Sequence, residues 1–166
     1  MDVSVNREEP LLEEQIVGLL QEKKVTLATA ESCTGGMLAS RIIDVPGVSE
    51  VFKAGFVTYA NEAKQNLIGV KEETLAQFGA VSEQTAREMV LGAIKAAKAD
   101  MAVATTGIAG PGGGTKEKPV GLVYIACGSA DGIVVERCLF NGSRKEIRQA
   151  SVEHALGLLF KEIMKK

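Results

Sequence analysis

Thr29-Ala30-Glu31-Ser32-Cys33-Thr34-Gly35-Gly36 joins an apolar run, Val25 to Ala28, to a stretch of helical periodicity, Met37 to Ile43. The run reads as a strand; the chain that leaves it turns on small residues and enters a helix. Such a turn aims backbone N–H groups and the positive end of the helix dipole at one point. A connection that only had to turn would need the glycines. This one also carries an acid, two hydroxyls and a thiol. Outward from it, a second glycine-rich turn, Thr106-Gly107-Ile108-Ala109-Gly110-Pro111-Gly112-Gly113-Gly114, follows another apolar run, Met101 to Ala104. Two strand ends opening into small-residue loops predict a crevice at the carboxyl edge of a sheet.

The remaining segments supply a scaffold for that crevice. Glu8 to Lys23 reads as a helix with Leu12, Ile16, Leu19 and Leu20 on one face and Pro10 in its first turn. The first strand covers Val25 to Thr29 and the second Val51 to Tyr59. The helix from Met37 ends near Asp44, ahead of Pro46 and Gly47. Asn61 is expected to cap a short helix reaching Leu67, with Lys64 in its first turn. Glu72 to Phe78 is a further helical piece, stopped by Gly79. Ser82 to Lys98 repeats Ala86, Met89, Val90, Ala93, Ile94 and Ala97 at helical spacing. Met101 to Thr105 is apolar enough for a central strand. Gly121 to Cys127 and Ile133 to Phe140 lie too close in sequence for anything but an antiparallel hairpin. Ser143 and Glu146 form a capping box for a last helix reaching about Met164. Helices alternating with strands, then a hairpin, predict a single α/β domain over residues 1–166. Its architecture is a three-layer α/β/α sandwich on a mixed, mostly parallel central sheet of about five strands.

Composition narrows the function. The chain has 166 residues, 46% hydrophobic and 24% charged, which suits one globular domain. A net charge of −2 with scattered Lys and Arg leaves no electrostatic footprint for nucleic acid. The absence of Trp and scarcity of Tyr and Phe argue against a base-stacking platform. No apolar run approaches the roughly 18 residues that span a bilayer, and the segment Met1 to Arg7 has no signal-peptide core. A cytoplasmic protein that binds no membrane is the expectation. Cys33, Cys127 and Cys138 are odd in number and fit reduced thiols better than a disulfide framework.

Several side chains are candidates for chemistry. Ser32 stands where a nucleophile would, at a strand-to-helix turn, and a serine hydroxyl needs a base to remove its proton. The same residue would also serve as a plain turn or cap serine. Cys33 is a rival, since a thiol at a helix N-terminus can have a lowered pKa; it would equally pack behind the turn, and Thr34 would cap. The chain's one histidine, His154, lies mid-helix far from either motif, which disfavours a Ser-His-Asp triad. Lys64 is the alternative base if burial lowers its pKa, with Tyr59 beside it to relay a proton or orient the amine. A solvated helix surface is the competing place for Lys64. One His, three dispersed Cys and no carboxylate cluster leave no metal site to nominate. The Thr106–Gly114 loop suits an anion, but its glycine spacing and context are not those of a dinucleotide fingerprint. Arg144 and Arg148 share a face at a helix start, and arginine matches phosphate.

Five blocks occur in one order: Glu31 to Gly36, Gly55-Phe56-Val57-Thr58-Tyr59-Ala60-Asn61-Glu62-Ala63-Lys64, Gly79-Ala80-Val81-Ser82-Glu83, Thr106 to Gly113, and Lys118-Pro119-Val120-Gly121. Together they strongly resemble the CinA C-terminal family, the nicotinamide-nucleotide amidohydrolases, over roughly Val17 to Ile163. The resemblance implies a cytoplasmic enzyme with no metal and no cofactor. Its reaction would convert nicotinamide mononucleotide to nicotinate mononucleotide and ammonia, in pyridine nucleotide salvage. Ser32 would be the nucleophile, activated by Tyr59 and Lys64. The expected substrate contacts are Glu31, Cys33, Thr34, Gly35 and Gly36 of the first turn, Thr106, Gly107 and Gly110 of the second, and Arg144 and Arg148; Glu31, near a cationic pyridinium ring in that reading, would equally serve as a cap or in a salt bridge. Of the arginines, Arg148 is preferred for the phosphate, because Arg144 in a first helical turn would face solvent. Where the family usually reads Gly-Asp-Arg this sequence has Gly142-Ser143-Arg144, which keeps the arginine and the cap but not the acid. Many members carry a further N-terminal molybdopterin-binding-like domain outside the matched stretch. The expected partner is a small-molecule nucleotide, and a homodimer is the usual assembly of a small enzyme. Two other classes stay open: a non-catalytic nucleotide-binding module linked to competence or stress, and a reductase using the second glycine-rich loop.

Overall fold

Strands and helices alternate along residues 9–166, the part of the chain described by the structure, a computed structural model. In order they are α1 (Leu12–Lys23), β1 (Leu27–Glu31), α2 (Met37–Ile43), a 3₁₀ turn (Val48–Glu50), β2 (Phe52–Val57), α3 (Asn61–Ile68), α4 (Glu72–Phe78), α5 (Glu83–Ala97), β3 (Met101–Gly107), β4 (Leu122–Ser129), β5 (Gly132–Leu139) and α6 (Arg144–Met164). The sheet has the order β2-β1-β3-β4-β5. β1 pairs in parallel with β2 and β3, while β3–β4 and β4–β5 are antiparallel. Four strands therefore point one way and β4 alone runs against them, although parallel and antiparallel pairings are equal in number. This is the mixed α/β/α sandwich expected from the sequence.

The alternation of strand side chains builds two different cores. On one face Leu27, Met101, Val103, Val123, Ile125 and Cys127 meet α1, α2 and α6. On the other, Ala28, Ala30, Ala102, Ala104 and Ala126 meet α5 through its Ala86, Met89, Val90 and Ala93. Large residues fill the first layer, each contributing about 1.5–3 kcal/mol on burial. Alanines on the second face let α5 lie close to the sheet. Close approach continues at Gly92, where a Cβ would fall 1.7 Å from the carbonyl oxygen of Ile68 at the end of α3.

Several boundaries differ from the sequence reading for local reasons. α1 starts at Leu12 because the Glu14 carboxylate accepts the Leu11 N–H at 2.6 Å, so Pro10 precedes the helix. The proposed start at Glu8 lies outside the described residues. Ala60, not Asn61, occupies the cap position of α3, its carbonyl accepting from Lys64 N–H. β1 runs two residues later than expected, since its register with β3 carries pairing through Glu31↔Thr105. The hairpin is tighter: β4 and β5 close on a Ser129↔Gly132 pair. The Ser143–Glu146 capping box forms as expected, with the Glu146 carboxylate accepting Ser143 N–H at 2.6 Å and Ser143 Oγ accepting Glu146 N–H at 3.2 Å. Cys33, Cys127 and Cys138 are buried free thiols. Among the described residues no helix is long and apolar enough to cross a membrane.

Candidate active site

The turn after β1 is held from three directions. Ser32 N–H donates to Thr105 O at 2.9 Å, which ties the first residue beyond the strand to β3. Gly35 (φ +59°) and Gly36 (φ +99°) take left-handed conformations that admit a side chain only with strain, and they bring the chain round into α2. The Glu31 carboxylate then caps that helix from the end of the strand. It accepts from Leu38 N–H at 2.8 Å, Ala39 N–H at 3.1 Å and Thr34 Oγ1 at 2.6 Å. Thr34 Oγ1 also lies 2.7 Å from Thr105 Oγ1. Glu31 and Thr34, expected at the substrate, are thus buried beneath the turn and hold its shape.

Lys64 arrives from α3. It is 1% exposed, and its Nζ lies 3.1 Å from Ser32 Oγ. It donates to Thr58 O at 2.8 Å and is 3.4 Å from Tyr59 O. Among the described residues no carboxylate pairs with it, and burial lowers its pKa from the ordinary 10.5. A neutral amine with two protons on carbonyls keeps a lone pair for the serine hydroxyl. Cys33 differs. Its thiol is 5% exposed and packs into the core with α1, α2 and α6, and burial pushes it up to about 11. At neutral pH it is a thiol, not a thiolate.

Tyr59 meets Lys64 through its backbone carbonyl, whereas its hydroxyl accepts from Arg144 Nη2 at 3.0 Å. Arg144 Nη1 donates to Gly110 O at 2.9 Å, so this arginine links Tyr59, just beyond β2, to the second glycine-rich loop. Of the two arginines, Arg144 lines the cavity and Arg148 does not. Arg148 donates to Cys33 O at 2.9 Å and Thr34 O at 3.1 Å, bracing the turn from behind. Arg144 is exposed, as a residue in the first turn of α6 is expected to be, and it also lines the cavity. Thr106 Oγ1 donates to Ala80 O at 2.7 Å and fixes the segment between α4 and α5 as one wall. Gly107 is required by β4, since a Cβ there would fall 2.7 Å from Leu122 O. At Gly110 a Cβ would meet Val120 at 2.4 Å.

These elements enclose a cavity of about 220 Å³ lined by Ser32, Cys33, Tyr59, Lys64, Ala80, Val81, Thr106, Gly107, Ala109 and Arg144. It contains Ser32, Cys33, Tyr59, Lys64, Thr106, Gly107 and Arg144 from the predicted set, adds Ala80, Val81 and Ala109, and leaves out Glu31, Thr34, Gly35, Gly36, Gly110 and Arg148. The sequence signal for Ala80 and Val81 was the Gly79–Glu83 block, and Ala109 lies within the second glycine-rich loop. A hollow of about 540 Å³ between α3 and α5 is larger, but Leu67, Leu91, Lys95 and its other lining residues include none of the site. The structure also corrects the view that no metal-type grouping exists. Glu136 and Cys138 on β5 and His154 on α6 bring ligand atoms within 4.8 Å of one another. An i, i+2 pair on one strand face was the available signal; the pairing of that face with α6 was not.

The model of the CinA C-terminal domain matches residues 9–163. The chain belongs to the CinA C-terminal domain family. A Clostridioides difficile strain 630 protein whose name associates it with competence-damage induction is 51% identical over 158 residues, covering 95% of this chain and 38% of that relative. The chain thus spans well under half the length of the curated relatives it matches. Among solved structures, the competence/damage inducible protein CihA of Agrobacterium tumefaciens is 43% identical, with a TM-score of 0.84 over 93% of this chain and 98% of that one. A CinA superfamily protein of Klebsiella pneumoniae is 35% identical, with a TM-score of 0.89 over 93% and 97%.

Proposed function

We propose that this CinA C-terminal chain is an amidohydrolase that converts nicotinamide mononucleotide to nicotinate mononucleotide and ammonia, as a step of pyridine nucleotide salvage. The observation that carries the reading is a buried lysine amine, unpaired with any acid among the described residues, 3.1 Å from a serine hydroxyl at the wall of a cavity. Amide hydrolysis needs an activated nucleophile, donors for an oxyanion and a proton for the departing amine. Ser32 Oγ attacks the carboxamide carbon as Lys64 Nζ takes its proton. The turn spends Gly35 N–H on Ser32 O and Leu38 and Ala39 N–H on Glu31, so the oxyanion donors in this reading come from the remaining N–H groups of Cys33, Thr34 and Gly36. The Lys64 ammonium returns the proton to the leaving nitrogen, and water, deprotonated by the same amine, releases the acid. Arg144 at the cavity rim is the group suited to the phosphate.

Ammonia release from nicotinamide mononucleotide without added cofactor tests this reading. Ser32→Ala should lower the rate by at least about 10³-fold, while Cys33→Ala keeps most of it. Tight binding of the mononucleotide with no turnover would favour a nucleotide-binding module instead. Inactivation by a thiol alkylator that Cys33→Ala relieves would make Cys33 the nucleophile.

A further inference from the structure

The geometry points to a divalent transition-metal site at Glu136, Cys138 and His154, zinc being the expected ion, which ties edge strand β5 to helix α6. None of these residues lines the Ser32 cavity, and the amidohydrolase reading gives them no task. Glu136 and Cys138 are two positions apart on β5 and so project to the same face of the sheet. That face packs on α6, where His154 stands above them. His154 Nε2 and a Glu136 carboxylate oxygen are in direct contact, and all three ligand atoms lie within 4.8 Å of one another. An ion pair accounts for the histidine and the glutamate alone. The Cys138 thiol packs into the core of that face, and the same packing holds it within reach of both.

The dimensions and the donor set suit zinc. Zinc–ligand bonds of about 2.0–2.3 Å place tetrahedral ligand atoms roughly 3.3–3.7 Å apart. An ion entering here would part Glu136 from His154 by about 1 Å and draw the thiol inward. The Phe140 ring meets the His154 ring edge-on, with centroids 5.9 Å apart, and limits how that imidazole can turn. Thiolate, imidazole and carboxylate together select zinc-like ions over magnesium and calcium, which prefer oxygen. One thiolate and one carboxylate also neutralise a divalent ion once the thiol proton has left to solvent. Cys138 is 8% exposed, while the His154 and Glu136 side chains are 38% and 36% exposed, so the ion has an entry path and a fourth position open to water. Among the described residues β5 is a sheet edge, paired with β4 alone. A bridge to α6 would hold it on the face that its hydrogen bonds do not reach.

The test is titration of the purified, chelator-treated chain with zinc and with cobalt as a spectroscopic probe. One equivalent should bind with micromolar or tighter affinity, unaffected by excess magnesium. The melting temperature should rise with zinc, and the cobalt form should show a thiolate charge-transfer band. Cys138→Ser should abolish that band and Cys33→Ala should retain it; Cys127, fully buried in the core, is out of reach of solvent ions. His154→Gln, at a half-exposed position, should weaken zinc binding by at least about tenfold without disturbing the far-ultraviolet dichroism. Absence of stoichiometric binding, a cobalt complex with no thiolate band, or a band that survives Cys138→Ser would each overturn the proposal. Ammonia release is independent of all of these outcomes, so the failure of one reading does not hide the failure of the other.

Discussion

Lys64 Nζ, 3.1 Å from Ser32 Oγ and held by the Thr58 carbonyl, makes a sharp demand on protonation. Only the neutral amine can accept the serine proton. Lys64→Arg keeps a cation that cannot deprotonate in the working range, so ammonia release should fall at least about 10²-fold with mononucleotide binding retained. For the wild type, kcat/KM should climb with pH through a pKa below 10.5. The sign for stability follows from the same shift. The folded state binds fewer protons than the unfolded one between the lowered and the ordinary lysine pKa, so stability rises with pH across that window. Below it the full cost of a buried cation remains. Chemical denaturation of wild type and Lys64→Met across pH should show the difference moving in favour of wild type as pH increases; a flat difference would place a neutral amine out of reach. Arg144 is a separate matter, because the proposed reading assigns it to the phosphate and not to the amide. Losing one charge-assisted hydrogen bond costs about 1.5–3 kcal/mol. Arg144→Ala should therefore lower kcat/KM for the mononucleotide by one to two decades and leave nicotinamide riboside nearly unchanged. An equal loss for both substrates would remove the arginine from phosphate recognition.

Helix α2 begins where β1 ends, and a single carboxylate makes the junction. Glu31 accepts two N–H groups of α2 and the hydroxyl of Thr34, all in a buried site. Its removal leaves these donors unpaired and frees the turn that carries Ser32. Glu31→Ala should cost about 1.5–3 kcal/mol, or roughly 4–10 °C in melting temperature for a domain of this size. The rate should fall as well, because the nucleophile loses its fixed place. Glu31→Gln keeps an acceptor for α2 and should recover part of the stability. If thermal melts show no loss for either variant, the turn is held by Arg148 and the Ser32–Thr105 bond alone. Arg148 serves the same junction from the opposite side through the Cys33 and Thr34 carbonyls. An arginine that looked like a ligand contact in the sequence is here a brace.

The two cores share one sheet. β1, β3 and β4 each send alternate side chains to both layers, so neither layer can melt without stripping strands from the other. Calorimetry on this chain should show one transition, with calorimetric and van't Hoff enthalpies in agreement. Two separable transitions would mean that the α5 layer, lined by alanines and poorer in apolar area, opens alone. The same topology explains the crevice. β1, β2 and β3 are parallel and adjacent, so their carboxyl ends lie side by side and deliver Ser32, Tyr59 and Thr106 to one rim. Lys64 follows within a turn and a half of helix, and α6 brings Arg144 from the far end of the chain.

Local chemistry made much of this legible in the residues themselves. Helical periodicity located α5 and α6, the Ser143–Glu146 spacing located a cap, and a polar set inside a glycine turn marked Ser32. Each of those signals acts over a few residues, so it survives in the linear string. Tertiary structure alone decided which side chains use their polar groups on the protein. Glu31, Thr34, Thr106 and Arg148 carry the residue types of a binding site and spend them on backbone and neighbouring hydroxyls. Arg144 is exposed as expected and yet lines the cavity, because the direction of α6 depends on packing against the sheet. The grouping of Glu136, Cys138 and His154 was hidden for the same reason: a strand and a helix share a face only after both have found the sheet. What a residue is made of can be read along the chain, but what it is left free to do depends on which donors and acceptors folding places within 3 Å of it.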